Sequence, residues 1–283
     1  MNNHQPNYPR QLMARIIFAW LFFVLAYFFF NNSLLAQLKA PVLLKPGIDN
    51  GFWLLHILHI PQFILQHPYV AVIFDVLLAV SCIICIAVPQ QRFFTIITVV
   101  AIWIFYVCYS SAAGKQYAQI GYLLAPIPFL ALQQNKFNFC WEGFRYWVCF
   151  LYLSAGFYKI YFGGFAADNT MSQILMEMNA EWFVFNQHSF QANCIDWLIQ
   201  HQHFSQWLYR IAVLIDISVI IGFFTKRYDK WLMIGLISFH VGNYFLLHIS
   251  FVEQSLIFAP FFPWQRFGKF IKTKNSNDRP LQL

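Results

Sequence analysis

Long apolar runs separated by short polar segments dominate the chain. A helix needs about 20 mostly apolar residues to cross a bilayer, and these runs do not alternate as the strands of a barrel would. The predicted spans are residues 14–35, 68–88, 92–113, 116–132, 144–162, 207–225, 230–248 and 250–264. The predicted fold class is therefore all-α, a polytopic transmembrane helical bundle of about eight spans.

Three apolar segments are less regular than the others. The run 116–132 is short and contains Pro126 and Pro128, and the run 250–264 is short enough to be re-entrant. Residues 52–66 are apolar and aromatic but too short to span, which favours a helix lying at the membrane interface.

Basic residues collect in four segments that border the predicted spans. They are Arg10 and Arg15; Lys136 and Arg145; Lys226, Arg227 and Lys230; and Arg266, Lys269, Lys272, Lys274 and Arg279. Residues 163–206 contain four acidic side chains and no lysine or arginine. Because cytoplasmic loops are enriched in Lys and Arg, we predict a cytoplasmic N-terminus (1–13), a transmembrane domain (14–264) and a basic cytoplasmic tail (265–283). Segment 163–206 is then a short helical external segment. The exceptions on the external side are Lys39, Lys45 and Lys115.

Composition agrees with a membrane protein, because 59% of the residues are hydrophobic and only 10% are charged, against about 25% charged in soluble domains. The net charge of +7 is spread between apolar runs and the tail, which favours membrane orientation over nucleic acid as its cause. Cys82 and Cys85 have redox spacing but no companion pair, so we interpret them as packing residues. His201 and His203 have no further ligand at a suitable spacing, and no metal site is predicted. The predicted location is a bacterial inner membrane.

Ionisable residues inside the spans are the candidate functional groups, since burying them in lipid is costly. In the predicted topology they all fall in the outer half of the bundle. They are Asp75, Lys159, Asp216, His240, His248 and Glu253. Charges in one leaflet cost less when they share a cavity, so we predict a polar pocket open to the non-cytoplasmic side.

Each of these residues also has a structural interpretation. Lys159 is either a partly desolvated proton-transfer group or a lysine that snorkels to the interface. Asp216 is too short to snorkel, so it either pairs with a lysine or is protonated. His240 and Asn243 share one helix face, where hydrogen bonding between helices is the alternative to a ligand site. For Asp75 a structural role in the bundle is favoured.

Two motifs resemble a known family. The stretch YLSAGFYKIYFGG, from Tyr152 to Gly164, and the stretch FHVGNYFLLHI, from Phe239 to Ile249, resemble the lysine motif and the following His-x-x-Asn helix of the vitamin K-dependent gamma-carboxylase-like membrane proteins, the HTTM domain family. The order and spacing of both motifs match, and the resemblance covers most of residues 14–264.

The resemblance implies roles for individual residues. The lysine that Lys159 matches is the base that deprotonates vitamin K hydroquinone, and His240 would orient the quinol, with Asp216 tuning the lysine. Tyr158, Asn243, His248 and Gln116 would line the quinol site. The implied cofactor is a quinol, either vitamin K-like or another isoprenoid quinone. The implied partners are membrane lipid or quinone, and a redox or secreted protein.

The chain also departs from the family pattern. Gln116 stands where the carboxylases have a histidine before the fourth span, and Phe162 stands where they have a tryptophan. No large soluble region follows the last span, whereas the carboxylases use one to bind their protein substrate. We therefore do not expect gamma-carboxylation of a protein glutamate.

Three functional hypotheses follow. The first is a quinol- or lipid-dependent oxygenase or carboxylase-like enzyme with a lysine base facing the periplasm. The second is a non-enzymatic membrane module that binds quinone, lipid or a partner protein. The third is a transporter, which lacks the support of an inverted repeat.

Overall fold

The computed structural model describes residues 8–38, 50–113, 126–249 and 253–268, and within these ranges it contains helices and turns but no strand. The predicted all-α class is therefore confirmed for the described residues. The α-helices are α1 (Arg10–Phe30), α2 (Asn50–Ile57), α3 (Ile60–Gln66), α4 (Pro68–Ala87), α5 (Arg92–Ala113), α6 (Gln134–Tyr161), α7 (Thr170–Asn186), α8 (Phe190–Gln200), α9 (Gln202–Ser218), α10 (Ile221–Phe224) and α11 (Asp229–Leu247). Short 3-10 helices cover Leu35–Gln37, Pro128–Ala131 and Glu253–Phe261.

Four helical segments of the described chain are long and apolar enough to cross a membrane. They are Arg10–Gln37, Pro68–Ala87, Arg92–Tyr109 and Gln202–Phe224. They coincide with the first, second, third and sixth predicted spans. Membrane association thus rests on these four helices, and the count of eight spans stays a prediction.

The irregular apolar segments differ from simple helices. Within residues 250–264 the described part begins with the 3-10 helix Glu253–Phe261. This helix is about 18 Å long at 2 Å per residue, which is short of the roughly 30 Å of hydrocarbon. Residues 52–66 divide into α2 and α3 at His59, whose φ of 56° is left-handed. Most of the predicted span 116–132 lies outside the described residues.

The chain divides into two compact units, Met1–Trp141 with Pro263–Leu283, and Glu142–Phe262. In the first unit α1 packs against α4, and the backbone N–H of Ala36 donates to Asp75 Oδ2 at 2.9 Å. Arg10 donates to the carbonyls of Leu130 and Leu132. Asp75 therefore anchors the end of the first apolar segment, in agreement with its structural interpretation.

In the second unit, α6 and α9 approach each other closely at Gly156. A Cβ added at Gly156 of α6 would lie 2.9 Å from Ile217 Cγ1 and 3.1 Å from Asp216 Cβ on α9. Glycine is the residue that lets the two helices meet this closely, and the contact fixes which face of α9 meets α6.

This contact gives a prediction about helix packing. Gly156→Ala should destabilise the protein by about 1–3 kcal/mol because the added methyl overpacks the contact. The matched control is Gly143→Ala on the same helix, where a Cβ would meet nothing within 4 Å and where alanine should stabilise by up to about 1 kcal/mol. The measurement is thermal unfolding in detergent, and equal midpoints for the two variants would contradict the prediction.

Candidate functional site

An ion pair joins Lys159, near the end of α6, to Asp216 of α9. Lys159 Nζ donates to Asp216 Oδ2 at 2.6 Å, and the ammonium lies 5.0 Å from the centre of the Phe239 ring. Asp216 is only 1% exposed, whereas Lys159 is 28% exposed. Of the two interpretations of Asp216, the structure therefore shows the one in which it pairs with a lysine.

The second carboxylate oxygen of Asp216, Oδ1, is a hydrogen-bond acceptor that remains unused within the described part of the chain. Oδ1 is buried and has no hydrogen-bond partner among the described residues. Leaving a buried carboxylate oxygen unpaired is costly, and such atoms in folded proteins call for a specific explanation. A ligand hydroxyl or a water molecule that donates to Oδ1 would supply one.

A second polar pair lies two turns earlier on α6. The hydroxyl of Tyr152 and Nε2 of His240 on α11 form a hydrogen bond of 2.7 Å. The ring of Phe258 packs against both, with centroid distances of 6.5 Å to Tyr152 and 5.3 Å to His240. Tyr152 and Lys159 are seven residues apart and so share one face of α6.

The ring of Phe239 links the two pairs. Its centre lies 5.0 Å from Lys159 Nζ and 5.1 Å from the centre of the His240 ring. Helices α6, α9 and α11 thus bring a cation, a carboxylate, an imidazole and a phenol together. We call Tyr152, Lys159, Asp216 and His240 the polar cluster.

The remaining residues of the implied quinol site lie elsewhere or outside the described chain. Tyr158 is exposed, and its ring packs at a tilt against that of Phe162 with the centroids 4.3 Å apart. Asn243 is half-buried one turn from His240. His248 ends α11 with a left-handed φ of 55°, and its ring packs on Trp182 at 4.3 Å. Gln116 lies outside the described residues.

Two residues expected in the shared polar pocket are likewise not part of the polar cluster as described. Asp75 belongs to the first compact unit, and the side chain of Glu253 is outside the described structure. Among the described residues no three His, Cys, Asp or Glu side chains come together as metal ligands.

Arg145 is the important residue that sequence reasoning misplaced. We counted it among the basic residues of a cytoplasmic loop at the border of the predicted span 144–162, yet its side chain is only 1% exposed. It lies inside α6, which begins at Gln134, ten residues before the predicted span. The buried spacing of Phe137, Trp141 and Phe144 on this helix is the sequence signal that could have shown it.

Every nitrogen of the Arg145 guanidinium donates a hydrogen bond. Its Nε and Nη2 donate to the two carboxylate oxygens of Asp229 at 3.0 and 2.6 Å. Nη1 donates to the carbonyl of Gly222 at 2.6 Å, and Nη2 also donates to that of Thr225 at 3.0 Å. This bidentate pair therefore closes the turn between α9 and α11.

The two ion pairs of α6 thus differ in what they leave unsatisfied. Both carboxylate oxygens of Asp229 accept a hydrogen bond from Arg145, whereas the pair of Lys159 retains a buried acceptor oxygen without a donor among the described residues and a partly exposed cation. Polar groups that the protein itself leaves unsatisfied are the ones that a bound molecule can satisfy. The polar cluster is the candidate functional site.

The comparisons with known proteins give no further guidance. The chain matches no protein-family model, no curated protein and no solved structure. The carboxylase-like interpretation therefore depends on the two motifs, and the functional argument depends on the polar cluster.

Proposed function

We propose that this protein is a multi-pass membrane enzyme that binds a lipid-soluble quinol at the polar cluster and takes a proton from its hydroxyl group. The observation that carries the proposal is the buried Oδ1 of Asp216, an acceptor without a donor among the described residues, beside a partly exposed ammonium. An acidic hydroxyl carries the donor that this oxygen lacks.

The residues of the polar cluster fit such a group. Asp216 Oδ1 would accept the hydrogen bond of the hydroxyl, and the Tyr152–His240 pair would bound the other side of the site. Aromatic rings of Phe239 and Phe258 beside Lys159 and His240 suit a flat, apolar ring system. When bound, a quinol supplies the acidic hydroxyl and the reducing electrons for reaction with oxygen.

Lys159 and Asp216 would act together as the base. A proton shift along their 2.6 Å hydrogen bond would leave a neutral amine on Lys159 and a carboxylic acid on Asp216. The amine would then accept the proton of the ligand hydroxyl, whose hydrogen turns from Asp216 Oδ1 to Lys159 Nζ. At the end Asp216 holds one additional proton, and the ammonium of Lys159 has lost its counter-ion and can face a negative charge on the ligand.

The proposal includes a topology. We infer eight crossings with both termini in the cytoplasm, in a bacterial inner membrane, and a polar cluster in the non-cytoplasmic half. The distribution of lysine and arginine between the segments supports this orientation. A redox or secreted protein is the partner that such a site would serve.

A specific observation favours a second candidate, a non-enzymatic quinone- or lipid-binding module. Lys159 is ion-paired. An ion pair inside a bundle can hold two helices together without taking part in any reaction. Such a module would retain its ligand but would not turn it over, so binding and turnover have to be measured separately.

The binding test is mass spectrometry of the lipids that co-purify with the protein. We expect that the wild type retains an isoprenoid quinone and that Asp216→Asn loses it. This substitution removes the negative charge of the carboxylate that would accept the hydrogen bond of the ligand hydroxyl. The matched control is Glu177→Gln, the same change at an exposed position of α7. Equal quinone retention in a folded Asp216→Asn variant, or no quinone in any preparation, would contradict the proposed site.

A further inference from the structure

Helices α7 and α8 form a hairpin, residues 170–200, that is too short to cross a membrane. They contain 17 and 11 residues, or roughly 25 and 16 Å at 1.5 Å per residue, against about 30 Å of hydrocarbon. Each carries large apolar side chains on its surface. Their outward faces therefore need an explanation other than spanning.

The inward faces of the hairpin are already occupied. Leu175 and Ile195 lie in a small core between the two helices. Asn179 donates to the carbonyl of Leu246 at 2.9 Å, and the hydroxyls of Ser172 and Ser205 are 2.8 Å apart. The hairpin is thus fixed against the end of α11 and the start of α9.

The turn of the hairpin has an aromatic residue on each side. Phe185 is the penultimate residue of α7 and is 80% exposed, and Phe190 begins α8 and is 79% exposed. Val184 beside them is also exposed. Exposing such large apolar side chains to water is unfavourable in free energy, whereas the boundary of a bilayer accommodates them.

Helix α8 is buried on one side and exposed on the other. Ala192, Ile195 and Leu198 are buried in the hairpin. The exposed side carries Phe190 and Trp197, which are seven residues apart and so lie on one line along the helix. Asn193 and Gln200 lie beside this line, and Asp196 lies farther round the helix. Aromatic rings flanked by polar groups are typical of the boundary between lipid headgroups and acyl chains.

The apolar side of α8 continues onto a helix that can span. The ring of Trp197 meets that of Phe204 at 5.2 Å. Phe204 begins a line of exposed apolar residues on α9: Phe204, Trp207, Ile211 and Leu214. These belong to the segment Gln202–Phe224, which is long and apolar enough to cross a membrane. The surface that faces lipid on α9 therefore leads directly onto the hairpin.

We propose that the α7–α8 hairpin is a membrane-docking element, whose aromatic turn and Trp197 side lie in the headgroup–acyl boundary of the leaflet next to the Lys159 end of α6. The partner is the lipid surface itself. Residues 163–206 contain no lysine or arginine, so apolar burial rather than attraction to anionic headgroups provides the binding. The inference depends on the membrane-spanning nature of α9 and is independent of the proposed quinol chemistry.

Photochemical crosslinking tests the proposal. The full chain is prepared with the photoreactive amino acid p-benzoylphenylalanine at position 185, 190 or 197 and reconstituted into phosphatidylcholine vesicles. We expect lipid adducts, read by mass spectrometry, at all three positions. The matched controls are positions 168 and 196, which are exposed and polar and lie away from the aromatic line of α8, and which should yield no lipid adduct.

Two crosslinking results would contradict the proposal. A crosslinked dimer in place of lipid adducts would show that a second copy covers this face. Recovery of the protein without any adduct would show that the face is open to solvent, because the excited benzophenone reacts with C–H bonds and not with water. Either result overturns the proposal. Phe185 and Phe190 are largely exposed, so substitution there should preserve the fold, which the elution volume in detergent checks. The lipid-retention test of the polar cluster can fail without affecting this result.

Discussion

Lys159→Ala is expected to lower quinol-dependent oxygen uptake by about 10²- to 10⁴-fold, the range that a positioned proton-transfer group contributes. The loss follows because the amine that accepts the hydroxyl proton is gone. The measurement is oxygen consumption by purified protein in vesicles that contain a reduced isoprenoid quinol. If the wild-type protein shows no quinol-dependent oxygen uptake, the proposal of an enzyme is wrong and the non-enzymatic binding module is the remaining candidate.

Lys159→Ala alone cannot separate chemistry from folding, because it leaves Asp216 buried without its cation. The double variant Lys159→Ala/Asp216→Ala removes both charges and should recover part of the lost stability but none of the turnover. Lys159→Arg keeps the charge, yet guanidinium does not release its proton, so we expect quinone retention without turnover. Full turnover in Lys159→Arg would exclude Lys159 as the base.

Arg145→Met is expected to give the largest loss of stability, about 3–5 kcal/mol, because removing one member of a buried pair leaves the other uncompensated. Asp229 would lose both of its hydrogen bonds to the guanidinium, and the carbonyls of Gly222 and Thr225 would lose their donor. The free energy of unfolding, measured by titration with a denaturing detergent, reports the effect.

Lys226→Met provides the comparison for Arg145. Lys226 donates to Glu142 in the same part of the bundle, but Lys226 is exposed. An exposed pair contributes about 0–1 kcal/mol, so this variant should stay near the wild type. Arg145→Lys should remain well below the wild type, because an ammonium cannot make the bidentate contact. Equal stabilities for the Arg145 and Lys226 variants would contradict a structural role for the guanidinium.

The sequence predicted the helical class and four spanning segments because these depend on local composition. Apolar runs that are long enough to cross a bilayer can be recognised from the sequence alone, because their recognition does not require knowledge of their neighbours in the fold. The span at 250–264 was less well defined, since its prolines cannot continue a regular α-helix, and the described part is a 3-10 helix.

The partners of the charged residues could not be read from the sequence. Lys159 and Asp216 are 57 residues apart, and their pairing requires the α6–α9 approach that Gly156 permits. Arg145 looked like a loop residue because a count of charges treats every border residue alike. Which border arginine is buried depends on where the helix starts, and α6 starts ten residues earlier than its apolar run suggests.

Helix α6 carries Arg145 and Lys159 on nearly the same face, 14 residues or about 21 Å apart. Each is tied to a different neighbouring segment. A rotation of α6 by a quarter turn, or a translation by one residue, would break both ion pairs at once. The two ion pairs together therefore restrain the rotation and the translation of this helix. Any opening that admits a ligand must therefore come from parts that move around α6, and a mobility measurement should find α6 the most rigid helix of its unit.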